Sequence, residues 1–308
     1  MNALQMNEAI RAEVTSRITT YPCNNLRASN IGHPCERYLY LLIKHWDEQK
    51  PHGYGLQNIF DLGNAIEPYT INKLKAAGFE VFTPENKNFK VDNPLITGRE
   101  DIRIKDPSDN ELYPAEIKGL SPFEWERLDS IEDFYTSKRH HVRGYPSQLL
   151  TYMWHFNKER GYFVLTNKLT GEVKVIDVPF DWDRMDEMIK RAERVYAALA
   201  DKFGQTIPEA CNDIDVCDGC NLAHICTAFK AHVEADIDTG ELEDLIQRKE
   251  ALAAAYKDYN DVHDQIKKCV GARDKIVTDG HLVQVSTIFK KAYEVKEHSE
   301  RRINISRL

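Results

Sequence analysis

Apolar positions fall in two rhythms along this chain, and the switches between them mark its parts. Over residues 1–20, Leu4, Ile10, Val14 and Ile18 recur loosely on one side of a helix. Residues 34–46 repeat more tightly, with Leu39, Leu42, Ile43 and Trp46 on one face and Cys35 in the first turn. Ser29 or Asn30 is placed to cap that helix. After the break KPHGYG a second helix is expected over 56–77. Gly63 and Glu67 stand four apart on one of its faces, and Pro68 marks a kink or a restart.

From residue 79 the period drops to two. FEVFTP, NFKV and the stretch 96–120 read as a β-meander. The last stretch, ITGREDIRIKDPSDNELYPAEIKGL, reads as two strands joined by a polar turn, with Asp101 on the first and Glu116 and Lys118 on the second. Alternation sends Glu116 and Lys118 to one side and Ile117 to the other, and hairpin pairing sets Asp101 beside Glu116.

A helix over 122–134 and a basic loop, Lys138 to Arg143, come next. YPSQLLTYMWHFNK then reads as a helix with Gln148 and Tyr152 on one face. Two strands, YFVLTN and EVKVIDVPF, lead into an amphipathic helix over 182–203. Helix, strands, helix, strand, strand indicates an α/β protein with a mixed central sheet flanked by helices. Beyond Gly240 a long charged helix is expected, with Leu245, Leu252, Tyr259 and Ile266 every seven residues as a packing seam, followed by a small β-unit.

Composition changes this picture little. The 308 residues are 42% hydrophobic and 29% charged, enough for a sizeable core in one or two domains. No apolar run is long enough to span a bilayer, and the first residues lack the basic-then-apolar pattern of a secretion signal, so an intracellular protein is expected. A formal charge of −8 gives no global support for nucleic-acid binding, although a local groove can be positive on an acidic protein. Seven cysteines, an odd number, argue against a disulfide framework. Four of them, Cys211, Cys217, Cys220 and Cys226, crowd together as a metal or cluster site would require.

The chemistry gathers around Asp101, Glu116 and Lys118. Phosphodiester hydrolysis needs an activated water, neutralisation of charge on the phosphate and stabilisation of the leaving oxygen. Mg²⁺ or Mn²⁺ on a pair of carboxylates supplies these, and a lysine on the same face adds a fixed cation. An E-x-K tripeptide alone is a weak signal. The ordered set Gly63 to Glu67, Gly98 to Asp101, Glu116 to Lys118 and Gln148 to Tyr152 is far more specific.

That set resembles the PD-(D/E)XK nuclease superfamily, in particular its RecB-like exonuclease branch, whose helical G-x-x-x-E, strand G-x-x-D, strand E-x-K and helical Q-x-x-x-Y motifs it matches in order over about residues 55–180. The resemblance implies a restriction-endonuclease-like fold and a metal-dependent deoxyribonuclease. It makes Asp101, Glu116 and the main-chain carbonyl of Ile117 metal ligands, with Glu67 completing the shell. Lys118 becomes the catalytic lysine, and Gln148 and Tyr152 place the lysine and the DNA strand. The basic loop with Lys138, Arg139 and Arg143 becomes a phosphate contact.

The chain is also similar to the AddB nuclease domain and to CRISPR-associated iron–sulfur exonucleases. These hold a 4Fe–4S cluster with one cysteine before the nuclease motifs and three after them. Here that pattern implies Cys35 with Cys217, Cys220 and Cys226. Structural Zn²⁺ on Cys211, Cys217, Cys220 and Cys226 is the alternative; it is less favoured because zinc sites usually show two short cysteine pairs. Glu67 in place of histidine, and the extension from 236, fit YqaJ-type phage exonucleases better.

The sequence thus points to four segments: 1–55, an N-terminal helical part supplying one cluster cysteine; 56–182, the nuclease core; 183–235, a helix and cysteine-cluster subdomain; and 236–308, a helical and β extension. The expected activity is DNA exonuclease in recombination, repair or phage DNA processing. A single-strand or flap endonuclease and a non-catalytic DNA-binding module with a structural metal stay open as alternatives. The expected partner is DNA, single-stranded or with a free end, in the cytoplasm of a bacterium or phage-infected host and away from membranes. A recombination or single-strand-binding protein partner and self-association are left open.

Overall fold

The computed structural model describes residues 2–211 and 213–227 and, beyond them, separate stretches between 248 and 284. The chain divides into two compact units, Met1–Val233 and Glu234–Leu308.

The first unit opens with α1 (Ala3–Ser16), capped by reciprocal bonds between Asn2 and Gln5. β1 (Leu26–Arg27) and α2 (Glu36–Lys44) follow. Asn30 spends its side-chain oxygen on the Arg27 N–H at 3.0 Å, so the α2 cap position falls to the extended Cys35 and the helix starts later than its periodicity suggests. α3 (Tyr54–Ala76) runs unbroken through Pro68. The carbonyl that Pro68 leaves without its helical partner is that of Asn64, an exposed residue, so water can satisfy it and the helix continues.

β2 (Val81–Phe82), β3 (Asn88–Val91), β4 (Ile96–Arg99), β5 (Ile102–Lys105) and β6 (Leu112–Leu120) do not form one meander. β3 and β4 join β1 in a small sheet of order β1-β4-β3, whereas β2, β5 and β6 enter the central sheet. The run 96–105 that reads as one strand is broken at Glu100 and Asp101. The Glu100 N–H bonds the Lys87 carbonyl at 2.9 Å, and the Asp101 side chain takes the Ile117 N–H at 2.9 Å.

Past β6, the helix expected over 122–134 is two, α4 (Pro122–Arg127) and α5 (Ile131–Thr136), because Ser130 and Asp133 form a fresh capping box. The residues expected as a basic loop begin α6 (His140–His155), with Arg139 at its cap and Val142 buried on its core side. β7 (Arg160–Asn167), β8 (Val173–Pro179), α7 (Trp182–Ala200) and α8 (Ile214–Asp218) complete the unit.

The central sheet has the order β2-β5-β6-β7-β8; β6 and β7 are parallel and the other pairs antiparallel. It is the mixed sheet flanked by helices that the sequence led one to expect. β7 shows why it needs cover on both faces: Phe163 and Leu165 pack into the main core with α2, α6 and α7, while Val164 between them packs with Leu74 of α3, Ile102 and Ile117. Each such side chain contributes about 1.5–3 kcal/mol by leaving water. This clamp holds the middle of β6, where Glu116 and Lys118 stand, between layers of helix.

In the second unit β9 (Lys275–Val277) pairs antiparallel with β10 (Leu282–Gln284), and helical residues occur between 248 and 269. Of the expected seam, Leu252 and Tyr259 are exposed, while Leu245 and Ile266 lie outside the described residues. Among the described residues no helix is long and apolar enough to cross a membrane.

Candidate active site

β6 does what its alternation requires: Glu116 and Lys118 lie on one face, and the Lys118 Nζ donates to Glu116 Oε1 at 2.6 Å. Gln148 and Tyr152, one turn apart on α6, extend the contact. Lys118 also donates to Gln148 Oε1 at 3.1 Å, Gln148 Nε2 donates to the Tyr152 hydroxyl at 2.5 Å, and that hydroxyl donates to the Arg99 carbonyl at 2.8 Å. One hydrogen-bonded chain therefore runs from Glu116 through the lysine and α6 to the end of β4. Tyr152 is fully buried, so the position of its hydroxyl is fixed.

Asp101 sits at the break between β4 and β5, one residue beyond the Ile102–Ala115 pair, which brings it beside Glu116. Burial, reinforced by the Glu116 charge, pushes its carboxyl up to about 8, against the pull of Lys118 and the Ile117 N–H. Burial opposes charge on Lys118, but Glu116, Tyr145 and Asp101 outweigh it and raise the ammonium above its ordinary range. Burial also drives the Tyr152 phenol well above its usual value, with the Glu116 and Asp101 charges adding to the effect. Glu116 is only 2% exposed, and its Oε2 has no hydrogen-bond partner among the described residues. Leaving such an oxygen unmatched costs about 1–3 kcal/mol, and a cation would relieve it.

Glu67 projects from α3 toward the same place, where it adds to the field on Asp101, and it is ion-paired with Lys87. Among the described residues no three His, Cys, Asp or Glu side chains already stand around one point at ligating spacing. The three carboxylates each have a partner of their own. Asp101 Oδ2 is held by the Ile117 N–H, Glu116 Oε1 by Lys118, and Glu67 by Lys87. The donor set suits a hard divalent ion, since it is all oxygen and holds one buried, unmatched carboxylate lone pair.

Three participants were not singled out from sequence. Lys87 is one; it lies in the loop before β3, and no local pattern marks it. Glu100, 3% exposed and paired with Arg103 at 3.0 Å, is another, and its place beside Asp101 was a usable signal. Tyr145 is the third. Its ring centroid lies 4.5 Å from Lys118 Nζ, and its position three before Gln148 puts it on the same helical face.

The basic residues expected to contact phosphate stand at and before the start of α6. Arg139 Nε pairs with the buried Glu124 at 2.8 Å, Arg143 donates to the Ser137 carbonyl at 2.7 Å, and Lys138 is exposed.

The cysteines do converge. Cys35, Cys211, Cys217, Cys220 and Cys226 line one small cavity of about 20 Å³, beside His33, Tyr38 and Val216. The Cys211 N–H donates to the Cys35 sulfur at 3.3 Å. Burial pushes the Cys220 thiol up to about 11, and burial with the nearby Cys35 takes Cys211 to about 12. All of these cysteines are free thiols. Thiols are the donor type of a thiolate-bound metal or cluster, and both candidates for the fourth ligand, Cys35 and Cys211, line the cavity, although among the described residues no three of the cysteines stand at ligating spacing.

No protein-family description matches the chain, and no curated protein matches it significantly. Among solved structures it is similar to one described as SSO0001, at 17% identity and a TM-score of 0.44, over 72% of this chain and 96% of that one. It is also similar to an alkaline exonuclease, LHK-Exo, from Laribacter hongkongensis, at 15% identity and a TM-score of 0.39, over 60% of this chain and 90% of that one. The same enzyme in complex with dAMP gives 15% identity and a TM-score of 0.39, over 57% and 88%.

Proposed function

We propose that this protein is a metal-dependent nuclease that hydrolyses DNA phosphodiester bonds from strand ends, in recombination, repair or phage DNA processing. The observation that carries this reading is the continuous set Asp101, Glu116, Lys118, Gln148 and Tyr152, in which two acids are forced together and a lysine is held beside them by an amide.

Each residue has a task its contacts fit. Gln148, itself held by Tyr152, fixes the Lys118 ammonium so that its charge can face the oxygens of a phosphate during attack. Glu116 keeps that ammonium protonated while leaving Oε2 open. Asp101, held by the Ile117 N–H, presents its carboxyl from the strand break. A divalent magnesium or manganese ion would be held by Asp101, Glu116, the Ile117 carbonyl and Glu67, and when bound supplies charge neutralisation and a more acidic water. The cysteine cavity would take a 4Fe–4S cluster on Cys35, Cys217, Cys220 and Cys226, with zinc on Cys211, Cys217, Cys220 and Cys226 as the competing assignment. In the cluster assignment the role is to tie the start of α2 to the segment after α7.

The test is degradation of end-labelled single- and double-stranded DNA, with free and blocked ends, with and without Mn²⁺. Wild type is expected to shorten free ends only with metal, and Glu116→Ala to lose about a thousandfold or more in rate. Equally poor degradation by both proteins would remove the enzymatic reading. Cleavage indifferent to blocked ends would replace exonuclease with endonuclease.

A further inference from the structure

The small sheet β1-β4-β3 carries a feature the chemistry above does not use. Its register sets Asn88 opposite Arg99 and Lys90 opposite Thr97 across β3 and β4, and Arg27 opposite Thr97 across β1 and β4. Residues directly opposite in a ladder share a face, so these five side chains share one. The other face carries Leu26, Phe89 and Ile96, all buried in the core. The polar face borders a cavity of about 770 Å³ with three cations and no acid in its lining. Arg27 and Lys90 flank Thr97 two inter-strand spacings apart, about 10 Å. Arg99 lies two positions along β4 from Thr97, and its own carbonyl accepts the Tyr152 hydroxyl, so the row of cations ends at the chain that holds Lys118. Gln148 and Tyr152 close that end of the cavity.

We infer that this groove is the binding track for a single nucleic-acid strand leading to the candidate active site, with Arg27, Lys90 and Arg99 as phosphate contacts. The inference rests on the nuclease reading for its direction and on the cation row for its chemistry. The volume is that of one medium-sized ligand site, which suits about two nucleotides of one strand and is too small for a double helix. Asp92 does not cancel the row. Its ion pair with Lys90, at 3.1 Å, joins two side chains more than half exposed, and such pairs are readily exchanged for phosphate. The groove also supplies what the overall charge of −8 does not, a local positive surface.

The test uses the full chain and fluorescence anisotropy of a labelled oligothymidylate, with Ca²⁺ in place of Mg²⁺, over a range of salt. The triple variant Arg27→Ala, Lys90→Ala, Arg99→Ala is expected to weaken binding about a hundredfold and to flatten the salt dependence by about two units of slope, since each contact on a single strand contributes about 0.7. Arg99→Lys as a single substitution should bind nearly as tightly as wild type, and Lys75→Ala on α3 should change nothing. In Mg²⁺ the triple variant should show a raised KM with kcat nearly kept. Unchanged affinity and slope in a triple variant that melts like wild type would overturn the groove, whatever the nuclease assay shows. If wild type binds through the groove but cuts nothing with Mg²⁺ or Mn²⁺, the nuclease reading falls and the groove stands. Tighter binding of duplex than of single strand, lost in the triple variant, would overturn the single-strand assignment.

Discussion

At the residue scale the site is built from partners that satisfy one another almost completely, and the exceptions say most. Tyr152 donates to the Arg99 carbonyl and accepts from Gln148 while fully buried. Tyr152→Phe should therefore cost about 1 kcal/mol in urea unfolding, because the half-buried Gln148 amide and the Arg99 carbonyl lose their partner. The same variant should cleave more slowly, as Lys118 loses its brace; unchanged stability would show that water replaces the hydroxyl. Lys87 occupies Glu67 as a cation in the place where the proposed metal would bind. Lys87→Met should raise Mn²⁺ affinity several-fold in titration calorimetry, and weaker binding would remove Glu67 from the ligand set. Glu116 with Lys118 and Gln148 with Tyr152 were legible in the sequence because their relations are local, i to i+2 on a strand and i to i+4 on a helix, whereas Asp101 joined them through the expected hairpin and the motif resemblance. Lys87 was not legible, since its partner Glu67 lies on α3, twenty residues earlier, and only the packing of the fold brings the two together.

At the scale of elements, two motif glycines carry different burdens. A Cβ on Gly98 would lie 2.3 Å from Phe89 Cζ and 3.0 Å from the Ala28 Cβ, so the ring that underlies the groove would have to move. Gly98→Ala should destabilise the protein by about 1–3 kcal/mol in thermal unfolding. Gly63, in the middle of α3, has nothing within 4 Å of such a Cβ. Gly63→Ala should stabilise by about 1 kcal/mol through helix propensity alone, and a loss instead would mean that the position needs its open space for a ligand. Helix placement was largely readable from apolar period. The strands of 79–105 were not, because alternation fixes faces but does not say that β3 and β4 leave for a second sheet. Nor could it show that the Arg143 guanidinium turns back on the Ser137 carbonyl.

Over the whole molecule, Cys35 from near the start of the chain meets Cys211, Cys217, Cys220 and Cys226 from after α7. The resemblance and the local crowding of cysteines left Cys35 or Cys211 as the fourth ligand of the proposed centre, and the fold brings both to one cavity, so the composition of a bound metal would decide between them. Cys35→Ser should abolish iron and sulfide content and the brown colour of anaerobically purified protein, while Cys211→Ser keeps both. It should also lower the melting temperature by roughly 10 °C, as loss of a long-range cross-link does. A colourless, zinc-loaded wild type that needs Cys211 would reverse the assignment. The extension was readable only as helix followed by strands, and its described residues agree with that order.

The break at Glu100 and Asp101 has one more consequence, for how such a protein can change over time. It divides a single run of chain between two sheets, one bearing the cation row and the other the acids and lysine. Substitutions on the exposed face of β1, β3 and β4 leave the register of β5, β6 and β7 untouched. On the reading proposed above, descendants of this chain can vary the strand they hold while inheriting the same candidate site, so long as the two residues at the joint keep their bonds to Lys87 and Ile117.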